Sequence, residues 1–180
     1  MISSILCIFE TYQTFFTGLL GFTGVIITMV VSAKQQTKLQ SRQMKHEARS
    51  LRVALKSELV ANKKSYEDRI QQFNDRSDFS HALVPNNTVD HVFRTLLNKI
   101  GLLSEEEVEN ILKAYLLIAE LPYRLRILVG TDNVGGLNDE YIRLNKNQQP
   151  IASEIHKSFL PDIVNAIDSI NHHLSNQDEI

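Results

Sequence analysis

The longest apolar stretch of the chain lies near its N-terminus. Residues 11–33, TYQTFFTGLLGFTGVIITMVVSA, are 23 residues without a charged side chain, bounded by Glu10 and Lys34. A helix needs about 20 mostly apolar residues to cross the hydrocarbon core of a bilayer. The stretch therefore predicts one transmembrane helix. Residues 1–10 would extend that helix to about 50 Å, too long for the span, so we expect them to form a short interfacial segment.

Small residues recur within the predicted span at spacings of three and four positions. They are Thr14, Thr17, Gly21, Gly24 and Thr28. Helices in lipid associate by close backbone approach at such positions and by hydrogen bonds from Ser and Thr. The pattern thus predicts a seam for self-association or for pairing with another membrane helix. Alternatively, it reflects only the frequency of small residues in membrane helices.

Helical periodicity resumes after a polar stretch at residues 34–43, which we expect to continue the membrane helix as a basic stalk. Apolar residues from position 44 onward are spaced by three and four, as in an amphipathic helix: Met44, Ala48, Leu51, Leu55, Leu59, Tyr66, Ile70 and Phe73. Residues 74–87 are rich in Asn, Asp and Ser and predict a loop, ending near Pro85.

Three further helices are predicted downstream. The second begins after Asn87 or Thr88 and ends at Gly101, a typical C-terminal residue. Ser104 and Glu107 then form a capping box for the third. This helix is apolar on nearly all sides and is expected to be the buried centre of the domain, with a kink or break at Pro122. Residues 130–149 predict irregular structure.

The last helix begins after Pro150 and carries apolar residues at helical spacing up to Leu174. No stretch alternates convincingly enough to predict a strand. The sequence therefore predicts an all-α protein in which one transmembrane helix and its stalk precede a small antiparallel four-helix bundle. We expect the bundle to occupy residues 44–175, followed by a polar tail at 176–180.

Charge divides the chain sharply although the formal net charge is only −2. Residues 34–56 hold seven Lys and Arg against one Glu, a balance of +6, whereas residues 57–180 hold 12 basic and 19 acidic residues, a balance of −7. Basic residues beside a span tend to remain in the cytoplasm. This predicts a single-pass protein of the plasma (bacterial inner) membrane, with the N-terminus outside and the C-terminal domain in the cytoplasm.

The basic residues of the stalk repeat with helical spacing and form one stripe. We expect its first members to contact anionic headgroups of the bilayer: Lys34, Lys38, Arg42 and Lys45. Members as distant as Arg52 need a bend, a partner or an acidic group of the domain itself. A solvated face without any partner is the simpler alternative. Nucleic acid is disfavoured as a partner because few aromatic residues accompany the basic ones.

The stripe lies on roughly the same helix face as the small-residue seam. Copies that paired along the seam as a parallel coiled coil would therefore bring like charges together.

Residues suited to catalysis or metal binding are sparse. Cys7 is the only cysteine, so neither an intrachain disulfide nor a cysteine metal site can form. His172 and His173 near Asp168 favour a solvated helix end over a metal site, and Asp78 with His81 is an ordinary pairing for a polar loop. We predict no catalytic residues, no metal and no cofactor.

The segments ALKSELVANKKSYEDRI and HVFRTLLNKIGLLSEEEVENILKAYLLI, following a single span, resemble a recurring type of bacterial single-pass membrane protein with a cytoplasmic helical domain. The resemblance covers about residues 20–128 and implies the topology alone, since the type carries no established activity.

The leading functional hypothesis is a non-enzymatic membrane-anchored module that recruits or senses a cytoplasmic protein. The alternative is an oligomerising membrane effector, of the host-defence or toxin kind, that perturbs the bilayer through its transmembrane helix. A homo-oligomer through the transmembrane helix is the partner that the seam predicts for this alternative.

Overall fold

The computed structural model describes residues 2–75, 81–130 and 140–175, with side chains from residue 12 onward except those of residues 14 and 16. Its elements in chain order are α1 (Ile2–Asp75), β1 (His81–Pro85), α2 (His91–Leu96), a 3-10 helix (Leu97–Leu102), α3 (Glu105–Val129), β2 (Tyr141–Asn145) and α4 (Gln149–Ser175). The predicted all-α class is confirmed. The chain divides into two compact units, Met1–His46 and Glu47–Ile180.

The first unit contains a candidate membrane span. Among the described residues, one helix is long and apolar enough to cross a bilayer, and its apolar window lies near the N-terminus. None of that window is buried within the protein. The predicted transmembrane helix of residues 11–33 is consistent with this finding.

The second unit is the helical domain. Its first buried residues are Ala48 and Leu51, whereas Met44 is 52% exposed. The predicted start of the domain at Met44 therefore stays a prediction, and the first enclosed side chain of the domain is that of Ala48. The rest of the predicted apolar face of α1 is buried or half-buried, with Leu55 and Leu59 at the centre of the core.

A two-stranded antiparallel sheet corrects the prediction that the domain has no strand. Strand β1 pairs with β2 so that Ala82 faces Leu144 and Val84 faces Ile142. The sheet lies where a loop (74–87) and irregular structure (130–149) were expected. Each strand has only five residues, too few for alternation to stand out in the sequence, yet Val84, Ile142 and Leu144 are buried in the common core.

The second helix differs from its prediction at both ends. It begins at His91, not after Asn87 or Thr88, and the 3-10 helix that follows extends through Gly101 to Leu102. No side chain caps α2 from its own N-cap position, Asp90. Asp90 instead pairs with Arg94 at 2.7 Å.

The N-terminus of α3 confirms the predicted capping box. The Ser104 hydroxyl accepts from the Glu107 backbone N–H, and a Glu107 carboxylate oxygen accepts from the Ser104 N–H at 3.0 Å. The helix continues through Pro122 to Val129, so it does not break there, and a kink at Pro122 stays a prediction. It packs against α4, whose buried residues include Ala152, Phe159, Ile163, Ala166 and Ile170.

Three buried polar residues of α1 bind the other elements of the domain. The Arg52 guanidinium donates to both Glu107 carboxylate oxygens, at 2.6 and 2.8 Å. Glu58 accepts from the Tyr115 hydroxyl at 2.6 Å and also from two backbone amides of α2. The Asn62 amide donates to the carbonyls of Glu58 and Val89, so it lies inside the domain and not at the edge of its core.

Arg52 and Glu107 thus form a bidentate ion pair that is almost completely buried, with side chains 6% and 0% exposed. Burial acts to raise the Glu107 pKa, but hydrogen bonds from Arg52 and Ser104 bring it below its ordinary value. The carboxylate therefore stays ionised. Arg52 does not belong to a solvated stripe, because an acidic group of the domain binds it.

Replacing Arg52 with Met should lower the free energy of unfolding by about 3–5 kcal/mol, because the Glu107 carboxylate would remain buried without its partner. Denaturant titration of the full chain in detergent micelles, followed by tyrosine fluorescence, measures the change. The double variant Arg52→Met/Glu107→Leu should recover most of the loss, and Lys45→Met on the exposed stalk should change stability by less than about 0.5 kcal/mol. A double variant no more stable than Arg52→Met would contradict this account.

Candidate functional site

One face of α3 is the most unusual surface of the domain. Its opposite side is buried through Ile111, Ala114, Ile118 and Leu125, but a second row of apolar residues faces solvent. Leu116 is 69% exposed, Tyr123 is 65% exposed and Ile127 is 64% exposed. Leu112 and Ala119 complete the row. We name these five residues the α3 face.

The α3 face overturns part of the sequence prediction. The helix is not the buried centre of the domain, since only one of its sides is enclosed. Apolar residues on nearly all sides of α3 predict that all of its sides are buried. Contiguous exposed apolar patches on soluble domains typically mark interaction surfaces. α3 carries more apolar residues than one buried side requires, and this excess indicates a second apolar side that is exposed.

Charged residues follow one edge of the α3 face. They are Glu109, Lys113, Glu120 and Arg124, at spacings of four, seven and four. At 100° per residue these four positions lie within a narrow arc beside the apolar row. Lys113 pairs with Asp162 of α4 at 2.7 Å, and Arg124 pairs with Glu120 at 3.0 Å. The Arg124–Glu120 pair is exposed and contributes little to stability, whereas Asp162 of the other pair is 21% exposed.

The predicted seam of the first unit lies open. The Thr17 and Thr28 hydroxyls donate to carbonyls four residues earlier, at 2.8 Å. A Cβ atom added at Gly21 or Gly24 would meet nothing within 4 Å. The side chain of Thr14 lies outside the described set. The seam residues therefore present a surface of small side chains with satisfied hydroxyls, to which another helix has access.

The predicted headgroup residues share one side of α1. Lys34, Lys38, Arg42 and Lys45 border a single shallow groove together with Ala33, Thr37 and Ser41. All four are exposed, and within the part of the chain that the structure describes no carboxylate pairs with them. Their charges are thus available to an external anionic surface.

Ser104 and His173 form a contact that resembles part of a hydrolase site but serves helix capping. The Ser104 Oγ lies 3.1 Å from His173 Nε2. A catalytic imidazole is held by a third group on its other nitrogen. Here the accompanying carboxylate, Glu107, is bound by Arg52 and Ser104 and lies 3.8 Å from the same Nε2 atom. The arrangement does not orient His173 as a base.

The described residues contain no group of side chains arranged to hold a metal ion. Among residues 2–75, 81–130 and 140–175, no group of three or more His, Cys, Asp and Glu side chains could hold a metal ion. His172 and His173 contact each other edge to face, with ring centroids 5.6 Å apart. Asp78 lies outside the described residues, so its pairing with His81 stays a prediction.

His156 is a buried titratable residue that the sequence did not single out. It is fully buried on α4 and meets the rings of Tyr66 and Phe73 edge to face. Its Nδ1–H donates to the Ala152 carbonyl at 2.7 Å, while Nε2 has no partner among the described residues. Burial, opposed by the Ala152 hydrogen bond and reinforced by the Arg69 charge, lowers its pKa to about 4.

No protein-family model, curated protein or solved structure matches the chain.

Lowering the pH from about 6.5 to 4 should destabilise the domain by up to about 3 kcal/mol through His156. The unfolded chain takes up a proton near the ordinary histidine pKa of 6.5, whereas the folded chain resists protonation until its own pKa of about 4. The stability that neutral His156 contributes is therefore fully present above pH 6.5, and it is lost as the pH falls towards 4. Denaturant titrations of the full chain at several pH values measure it.

His156→Phe keeps an aromatic ring between Tyr66 and Phe73 and should remove this part of the acid sensitivity. His91→Gln, at an exposed position of α2, is the matched control and should retain it. Equal pH dependence in wild type and His156→Phe would show that His156 does not cause the effect.

Proposed function

We propose that the protein is a membrane-anchored helical interaction module without catalytic activity, whose domain binds a second copy of itself through the α3 face. The observation that carries this proposal is the exposed apolar row on α3. A soluble domain of this size rarely leaves Leu116, Tyr123 and Ile127 in water on one helix face unless that face meets a partner.

The charges beside the α3 face favour a second copy as that partner. In a two-fold dimer, two α3 helices can pack antiparallel against each other. The charged edge of one copy then lies next to the charged edge of the other copy. The spacing of four, seven and four then places Glu109 opposite Arg124 of the second copy, and Lys113 opposite Glu120 of the second copy. Every charge on the edge meets one of opposite sign. In the same alignment the apolar residues interleave, with Leu116 at the axis.

Membrane attachment supports the same proposal. The candidate span and the basic groove at residues 33–45, which pairs with no carboxylate among the described residues, suit a chain held at an anionic surface. Confinement to a membrane raises the effective concentration of one copy around another. We propose the plasma (bacterial inner) membrane as the location, with the domain in the cytoplasm. An unidentified cytoplasmic protein remains the other expected partner for the module.

The alternative function is an oligomerising membrane effector that perturbs the bilayer through its transmembrane helix. The observation favouring it is the open seam, where Gly21 and Gly24 allow close approach of another helix. This function differs from the interaction module in where association occurs, because it places the contact within the membrane and not on α3.

The proposed orientation should make Cys7 accessible from outside the cell. Because Cys7 is the only cysteine, a membrane-impermeant maleimide applied to intact cells should label it in the full chain. Changing Lys34, Lys38, Arg42 and Lys45 to Gln should reduce the labelling, since basic residues close to the span determine orientation.

The matched control changes four lysines far from the span to Gln: Lys63, Lys64, Lys99 and Lys157. It should leave Cys7 labelling unchanged. In a Cys7→Ser background, Ser175→Cys should react only after lysis. Its labelling in intact cells would contradict the cytoplasmic placement of the domain.

Association through the α3 face should be abolished by Leu116→Glu, which places four like charges near the two-fold axis with Glu120 of each copy. Crosslinking and light scattering of the full chain in lipid nanodiscs or micelles measure the dimer. Glu109→Arg, which places a like charge opposite Arg124 of the second copy, should weaken the dimer about 3- to 10-fold, whereas Glu109→Gln, which only removes the charge, should weaken it less.

Gly21→Leu/Gly24→Leu is the matched variant for the alternative, since neither position clashes within the chain. The interaction module predicts that it leaves the α3 dimer intact. Loss of association in this variant with none in Leu116→Glu, together with relief of any growth inhibition, would favour the membrane effector. Binding of a different protein to the α3 face, with a monomeric chain, would overturn the second copy as the partner.

A further inference from the structure

A cavity of about 110 Å³ lies in the domain between α1, β1 and α3 and is partly open to solvent. Val84, Ile118 and Leu121 form apolar walls. Tyr66, Arg69 and Thr88, which carry polar side chains, belong to the same lining. The cavity thus combines one cationic side with an apolar interior, which is the usual composition of a small-molecule site.

The Arg69 side chain lines this cavity as a partly buried cation. The side chain is half-buried, and burial lowers its pKa, opposed only by the neighbouring Tyr66. No carboxylate of residues 2–75, 81–130 or 140–175 pairs with it. A partly desolvated charge without a partner is unfavourable. Its planar donor fork matches the two oxygens of a carboxylate.

Tyr66 supplies a second donor beside Arg69. The residue is 5% exposed, and burial raises the pKa of its phenol, so the hydroxyl keeps its proton at neutral pH. No hydrogen-bond acceptor for this hydroxyl occurs among the residues that the structure describes. Its oxygen is not sealed from solvent, because the cavity is partly open. Two donors without a protein acceptor among the described residues, one of them charged, therefore border the same cavity.

The volume limits the size of any occupant. A cavity of about 150 Å³ in another protein holds benzene, which has six non-hydrogen atoms. In proportion, 110 Å³ accommodates about four or five such atoms. Acetate and propionate have this size, and their alkyl ends suit the apolar walls better than a fully charged oxyanion does.

We propose that this cavity binds a small monocarboxylate, with the carboxylate on the Arg69 guanidinium and the Tyr66 hydroxyl and the alkyl end against Val84, Ile118 and Leu121. The site is separate from the α3 face, so it does not depend on pairing of two copies. It would make the domain responsive to a short-chain organic acid.

Sodium propionate should raise the thermal unfolding midpoint of the full chain in detergent micelles at pH 7, in a saturable manner, relative to sodium chloride of equal ionic strength. Circular dichroism measures the midpoint. Arg69→Gln should weaken the apparent affinity by about tenfold or more, and Tyr66→Phe, which keeps the ring, by about threefold or more. Lys64→Gln, an exposed charge on the same helix, is the matched control and should respond as wild type does.

A further readout separates binding from a purely structural role. Without propionate, Arg69→Gln should unfold no earlier than wild type, because no carboxylate loses its partner. A lower midpoint would overturn the proposal, since Arg69 would then already be satisfied within the protein. The same conclusion would follow if propionate had no saturable effect or acted equally on Arg69→Gln. A larger response to sodium phosphate than to propionate would overturn the assignment to a monocarboxylate.

Discussion

The helical domain depends on one buried ion pair, in which Arg52 of α1 binds both oxygens of Glu107 at the start of α3. Two charges in the core are tolerable only when each satisfies the other with good geometry. The pair therefore sets the position of α3 along α1 to within a hydrogen-bond length. Glu107 also completes the capping box with Ser104, so one carboxylate both begins α3 and connects it to α1.

Much of this fold could be predicted because its signals are local. The apolar stretch at residues 11–33, the periodicity of α1 and α4, and the spacing of Ser104 and Glu107 each act within one element. The strands could not be predicted, since β1 and β2 are short and are stabilised by a partner about 60 residues away. For Arg52, an acidic group of the domain was one alternative among several, and the sequence did not identify which acid. Its spacing matches the basic stripe, and only the folded domain brings Glu107 to it.

The candidate surfaces were less predictable than the fold. Periodicity indicates that a helix has an apolar side, but α3 has two, and nothing local distinguishes the side that α4 covers from the side with Leu116 and Tyr123. The Arg69 cavity depends on α1, β1 and α3 together. His156 resembles any other polar residue of an amphipathic helix until Tyr66 and Phe73 enclose it. Such features depend on the tertiary arrangement, to which a single sequence offers little access.

The capping of α2 by Glu58 makes that helix conditional on another. Six residues are too few to form a stable helix alone. The Val92 and Phe93 amides, which water would otherwise reach, donate to a carboxylate 34 and 35 positions earlier at 2.7 and 2.9 Å. The protection of these two amides from hydrogen exchange therefore depends on the position of α1 and not on α2 alone. If α1 loosens near Glu58, α2 loses its N-terminal partner in the same event, and the two helices behave as one cooperative unit.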